Sequence, residues 1–246
     1  MQSTQCSSLI DTSSEVASLI DSISDLPTHP PSLYIDLEGA NLGRHGTISI
    51  LQLYVLPTNQ THLIDIHSLK EAAFTTPGSN GQTLKGILES STIPKAFFDI
   101  RNDSDALYSH FSIKLACIQD IQLMELATRS FSKRCVSGLA KCMEKECTMT
   151  PRERQTWLAN KAIGVRLFLP THGGSYEVFN RRPLSEEIIK YCVQDVQFLP
   201  RLWQHYSSKL SPSWNAKVEK ATRDRVLLSQ SPTFNGKGRH MALGPW

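Results

Sequence analysis

Leu33-Tyr34-Ile35-Asp36-Leu37-Glu38 is an apolar run that closes on two alternating acids. Successive side chains of a strand point to opposite faces, so Leu33, Ile35 and Leu37 share one face and Tyr34, Asp36 and Glu38 the other. Like charges side by side on one face repel unless a cation neutralises them. The stretch therefore predicts a buried strand carrying a candidate metal-binding edge. The blander alternative is a pair of solvated acids at a strand end.

Working outward, 47–55 and 61–66 also read as strands, with Gly39, Gly43, Gly46 and Pro57 in connections that suit antiparallel neighbours. The run 95–100 reads as a buried strand followed by a helix over 104–111. The run 118–123 reads as a strand leading into a helix through Thr128. Ser68-Leu69-Lys70-Glu71 has the pattern of a capping box opening a helix, and Thr83 is placed to cap the next. Helices are expected over 137–147, over 184–206 with Ser185 as N-cap, and over 214–228. The region 148–182, with Gly173-Gly174, shows no clear period and is expected to be irregular. Strands first, then strands alternating with helices, predict an α/β fold: a mixed sheet flanked by helices. The expected division is a polar N-terminal arm over 1–30 with a short helix at 15–23, one α/β domain over 31–209, and a C-terminal helix with a mobile tail over 210–246.

Composition narrows the class. The 246 residues are 40% apolar, enough for a buried core, and the formal net charge of +3 does not by itself announce a nucleic-acid binder. No stretch approaches the roughly 18 uninterrupted apolar residues of a membrane span, so no membrane partner is expected. The N-terminus lacks the basic start and apolar core of a secretory signal. The six cysteines show no paired CxxC spacing, which favours a reduced intracellular protein, in cytoplasm or nucleus, over a disulfide scaffold or zinc site.

Two further acidic clusters lie downstream. Asp99-Ile100-Arg101-Asn102-Asp103-Ser104-Asp105 stands where a strand gives way to a helix, so its acids are candidates for helix capping as well as for metal. Tyr191 and Asp195 are four residues apart and share a helix face, a spacing equally compatible with an ordinary surface pair. Together the three clusters place carboxylates on a strand, a strand-to-helix junction and a late helix. A pair of divalent ions about 4 Å apart needs such a set for phosphoryl chemistry.

The order of these motifs resembles the DEDD exonucleases of the tyrosine subclass, the family of ribonuclease D and Werner-type exonucleases. Asp36-Leu37-Glu38 matches its first motif, Phe98-Asp99-Ile100-Arg101-Asn102-Asp103 its second, and Tyr191-Cys192-Val193-Gln194-Asp195 its third. Ile50-Leu51-Gln52-Leu53, Asp120-Ile121-Gln122-Leu123, Gly138-Leu139-Ala140 and Arg182-Pro183-Leu184 resemble its supporting stretches. The likeness spans about residues 32–207 and is nearest to exonuclease-domain proteins found widely in fungi. The resemblance implies a ribonuclease H-like fold and a 3′-5′ exonuclease that releases nucleoside 5′-monophosphates. It also implies two Mg²⁺ or Mn²⁺ ions held by Asp36, Glu38, Asp103 and Asp195, with Tyr191 positioning the attacking water. Asp99 and Asp105 flank Asp103, and the residues alone leave the choice among the three open. Phe98 departs from the histidine that ribonuclease D-like members often carry there.

The implied partner is nucleic acid, RNA or DNA, through a single-stranded 3′ end. Acids repel phosphate, so basic residues should border the site; Arg44, Arg181 and Arg182 sit in loops beside motif residues. Tyr54, Trp157, Phe168, Tyr176 and Phe179 are candidate stacking platforms for bases. The rival reading is a catalytically silent nucleic-acid-binding or adaptor module on the same fold.

Overall fold

The structure, a computed structural model, describes residues 7–246. Six strands form one sheet: β1 (Ser7–Ile10), β2 (Leu33–Glu38), β3 (Ile50–Val55), β4 (Gln60–Ile64), β5 (Lys95–Phe97) and β6 (Ile118–Asp120). Their order across the sheet is β1-β4-β3-β2-β5-β6. β2 is central, with β3 antiparallel on one side and β5 parallel on the other. In the β2–β3 register Asp36 faces Gln52 and Glu38 faces Ile50. Gly39 makes the turn that follows possible, because a Cβ there would run into the carbonyl of Thr47.

Helices cover both faces. In chain order they are α1 (Ser13–Ile23), α2 (Ile66–Leu69), α3 (Ala72–Thr75), α4 (Leu84–Glu89), α5 (Arg101–Phe111), α6 (Ile121–Thr128), α7 (Leu139–Glu146), α8 (Pro151–Phe168), α9 (Glu186–Gln197), α10 (Leu199–Ser207) and α11 (Pro212–Ser229). The alternation in β2 sorts the two layers. Leu33, Ile35 and Leu37 pack with Ile20 of α1, Ile87 of α4 and Leu107 of α5. Tyr34, on the other face, packs with Leu123 of α6, Met143 of α7, Trp157 of α8 and Leu202 of α10. This is the expected mixed sheet flanked by helices. No helix among the described residues is long and apolar enough to cross a membrane.

Several segments depart from expectation. The 148–182 region contains an 18-residue helix, α8. Thr150 and Glu153 form a capping box and Pro151 opens the helix, yet Trp157 and Gly164 are its buried residues, so no apolar stripe betrays it. The 68–71 pattern does not open a helix: Asp65 caps α2, and Lys70 ends it with φ of 52°. The helix expected over 184–206 is divided at Phe198 into α9 and α10, with Pro200 in the first turn of the second.

The ends are part of the packing. Residues 1–6 of the expected N-terminal arm lie outside the described residues. The rest supplies β1, parallel to β4 with Leu9 beside Leu63, and α1, whose Val16, Leu19, Ile20 and Ile23 enter the core. The tail expected to be mobile is tied down by bonds from Val136 N–H to the Ala242 carbonyl and from Gly244 N–H to the Arg134 carbonyl.

Candidate active site

Strands β2 and β5 run parallel, with Leu33 beside Lys95 and Tyr34 beside Ala96, so their carboxyl ends point the same way. In open α/β sheets the crevice beyond such strand ends is the usual ligand site. β2 delivers Asp36 and Glu38 there. β5 turns through Asp99, at φ of 65°, into α5, whose first turn carries Asp103. Helix α9 crosses this end of the sheet and contributes Tyr191 and Asp195. Asp36, Glu38 and Asp195 each place an oxygen within 4.8 Å of the others, and no other trio of His, Cys, Asp or Glu gathers this way among the described residues.

The middle cluster separates by its bonds. Asp99 accepts two hydrogen bonds of 2.6 Å from Arg101 and lies 3.6 Å from Arg225. Asp105 accepts from the backbone N–H of Arg44 at 2.8 Å and from its guanidinium at 2.7 Å. Asp103 makes neither kind of bond. It is buried, and its Oδ1 has no hydrogen-bond partner. It stands outside the close trio, yet it and Asp36 act on each other electrostatically. A buried, unpartnered carboxylate oxygen facing like charges is a poor arrangement for an empty protein and a good one for a cation. The donor set is all oxygen, which suits Mg²⁺ or Mn²⁺.

Electrostatics carry the same message. Burial, then Asp195, pushes the Asp36 carboxyl up to about 7, against the opposing pull of Lys161. Burial, then Asp36, raises Glu38 well above the usual carboxylate range. Asp103 is raised by burial and by Asp36. Tyr191 is raised by burial, then by Asp195, Glu38 and Asp36, so its hydroxyl stays protonated.

Helix α8 was unforeseen and fixes Tyr191. A Cβ at Gly164 would collide with the tyrosine ring, so α8 reaches its place only with glycine there. Phe168 meets the ring edge-on at 5.1 Å, and Phe179 lies behind it at 6.5 Å. Lys161, one turn before Gly164, donates to the Tyr191 hydroxyl at 3.0 Å and to both oxygens of Asp195 at 3.2 and 3.3 Å. No motif marked Lys161 in the sequence; the Thr150–Glu153 capping box was the signal that a helix started upstream of it.

Two of the expected phosphate contacts are bonded to carboxylates in this structure. The Arg44 guanidinium is spent on Asp105 and on the carbonyls of Ser229, Ser231 and Pro232, tying down the end of α11. Arg182 holds Asp65 with two bonds of 2.6 Å and donates to the carbonyls of Phe179 and Arg181. Both are consumed by carboxylates that the sequence could not pair with them. Arg181 is exposed. Among the expected stacking platforms, Tyr54, Trp157 and Phe179 are buried in the core, while Phe168 and Tyr176 are half-buried and stack on each other at 5.9 Å. A cavity of about 1120 Å³ opens between α8, α9 and α10 on a different face of α9 from Tyr191 and Asp195.

Supporting motifs also find their reasons. Asp120 caps α6 through Gln122 N–H at 3.0 Å and accepts from Asp99 N–H at 3.1 Å and Arg225 at 2.6 Å, so it braces the turn that aims Asp103. Gln122 donates to the Ser137 carbonyl at 3.1 Å.

Residues 8–211 match the family model described as 3′-5′ exonuclease. No curated protein matches the chain. Among solved structures, Trypanosoma brucei RNase D in complex with RNA U12 superposes with a TM-score of 0.73 at 18% identity, over 98% of this chain and 76% of that one. Escherichia coli RNase D gives 0.62 at 16% identity, over 92% of this chain and 51% of that one. Brucella melitensis NrnC with bound Mg²⁺ gives 0.57 at 18% identity, over 87% of this chain and 96% of that one. At such identities the likeness is one of fold.

Proposed function

The chain belongs to the 3′-5′ exonuclease family, and we propose that it trims single-stranded RNA or DNA from the 3′ end, releasing nucleoside 5′-monophosphates, with two divalent ions held by Asp36, Glu38, Asp103 and Asp195. The observation that carries the reading is the convergence of Asp36, Glu38 and Asp195 within 4.8 Å beside the unpartnered Asp103. Bound there, Mg²⁺ or Mn²⁺ supplies the charge that activates water near neutral pH and offsets the negative charge on the departing oxygen. Water attacks the terminal phosphorus, the bond from phosphorus to the 3′ oxygen breaks, and that oxygen takes up a proton as the new 3′ hydroxyl. Tyr191, kept protonated by its surroundings, orients the water by hydrogen bond rather than removing its proton. Glu38 holds the water from the other side. The exposed Arg181 is the phosphate contact proposed for the incoming strand. RNA in one structural neighbour and Mg²⁺ in another support this choice of substrate class and cofactor.

The reading is tested with matched single- and double-stranded RNA and DNA oligonucleotides in Mg²⁺, Mn²⁺ or chelator. Single strands should shorten only with metal, and chromatography should identify 5′-monophosphates. Metal-independent cleavage, or 3′-monophosphate products, would overturn it.

A further inference from the structure

Among the described residues, Lys161 is the one basic side chain bonded to an acid of the close trio. Its ammonium lies almost equally far from the two oxygens of Asp195, at 3.2 and 3.3 Å, and caps the Tyr191 hydroxyl at 3.0 Å. It also stands 4.6 Å from the centre of the Tyr191 ring. Its side chain is only 23% exposed, against 5% for Asp195. An ammonium is withdrawn from water this far only where fixed negative charge compensates it. The approach is built into α8: Lys161 and Gly164 are three residues apart on one helix face, and the glycine lets that face close on Tyr191.

We propose that Lys161 is an internal counter-ion of the acid cluster, holding the Asp195–Tyr191 corner until a divalent ion displaces it. The proposal rests on reading the cluster as a metal centre. Charge makes the two occupants competitors. Asp36, Glu38, Asp103 and Asp195 carry at most four negative charges, which two divalent ions balance in full; an added ammonium overshoots and is repelled. Spanning both oxygens of Asp195, Lys161 occupies the bonds that a metal would take from that residue. The metal-free protein thus keeps its acids together, and metal loading carries the cost of moving the lysine out.

Mn²⁺ binding tests this without reference to turnover. The intact chain is titrated with Mn²⁺ while electron paramagnetic resonance reads the free aqueous ion, for wild type, K161M, K161Q, K161R and D195N, with melting curves to establish folding. K161M and K161Q should bind Mn²⁺ at least about tenfold more tightly than wild type. K161R, which keeps the charge, should stay near wild type, and D195N should bind more weakly. Metal-free K161M should melt below wild type and gain more on saturation with Mn²⁺. Equal or weaker binding by both K161M and K161Q, with D195N still weakened, leaves Lys161 as a clamp between α8 and α9 and overturns the proposal alone. No Mn²⁺ binding by any protein overturns the metal reading with it.

Discussion

Asp103 and Asp99 are four residues apart in sequence and opposite in circumstance. Asp99 is bound by Arg101, whereas Asp103 has a buried oxygen with no partner. D99N should therefore cost about 1.5–3 kcal/mol of stability, the worth of hydrogen bonds to a charged group, and leave Mg²⁺ affinity within about threefold. D103N should leave the metal-free melting temperature unchanged or higher, since it removes a buried charge, and weaken Mg²⁺ by at least about tenfold. Calorimetric titration and melting curves separate the two, and the reverse pattern would move the ligand to Asp99. Strand period and helix spacing offered Asp36, Glu38, Tyr191 and Asp195 as candidates, and the family resemblance joined them into one proposed site. The residues alone could not choose among Asp99, Asp103 and Asp105, because what distinguishes them includes Arg225 and Arg44, which arrive from other elements. For the same reason they did not reveal the carboxylate partners of Arg44 and Arg182, 61 and 117 residues away.

Helix α8 shows what pattern reading loses at the scale of elements. A helix that buries one face on a core declares itself by apolar residues three and four apart. α8 buries Trp157 and Gly164 and turns polar side chains to Tyr191 and to solvent, so its period is silent. The strands, and helices such as α4 and α9 that join an apolar face to a Thr or Ser cap, were legible because both signals are local. Gly164 gives α8 a sharp test. By helix propensity G164A should stabilise by about 1 kcal/mol. The added methyl would meet the Tyr191 ring, so G164A should instead destabilise by about 1–3 kcal/mol. The displaced hydroxyl should lower kcat about 10- to 100-fold. A more stable G164A enzyme with unchanged kcat would show that α8 does not fix the tyrosine.

Over the whole molecule, the sheet gathers acids at one end and the fold pays for it in the metal-free state. The Asp36 carboxyl is raised to about 7 by burial and Asp195; in the unfolded chain it titrates at about 4. The folded form thus holds its proton more tightly. This contribution to stability is complete below about pH 4 and is lost as pH rises through about 7. Without metal, D36N should melt close to wild type at about pH 4 and increasingly above it toward about pH 8. Mg²⁺ should erase that advantage by stabilising wild type. A pH-independent difference would mean that Asp36 ionises as it does in water. The most direct measurement of the central claim follows a 5′-labelled single-stranded oligonucleotide on a sequencing gel, with Mn²⁺, for wild type and for D36A/E38A. The predicted result is a ladder retreating from the 3′ end in wild type, stopped by chelator and slowed by at least about a thousandfold in the double variant. An inert wild type, or a double variant that makes the same ladder at the same rate, would contradict it.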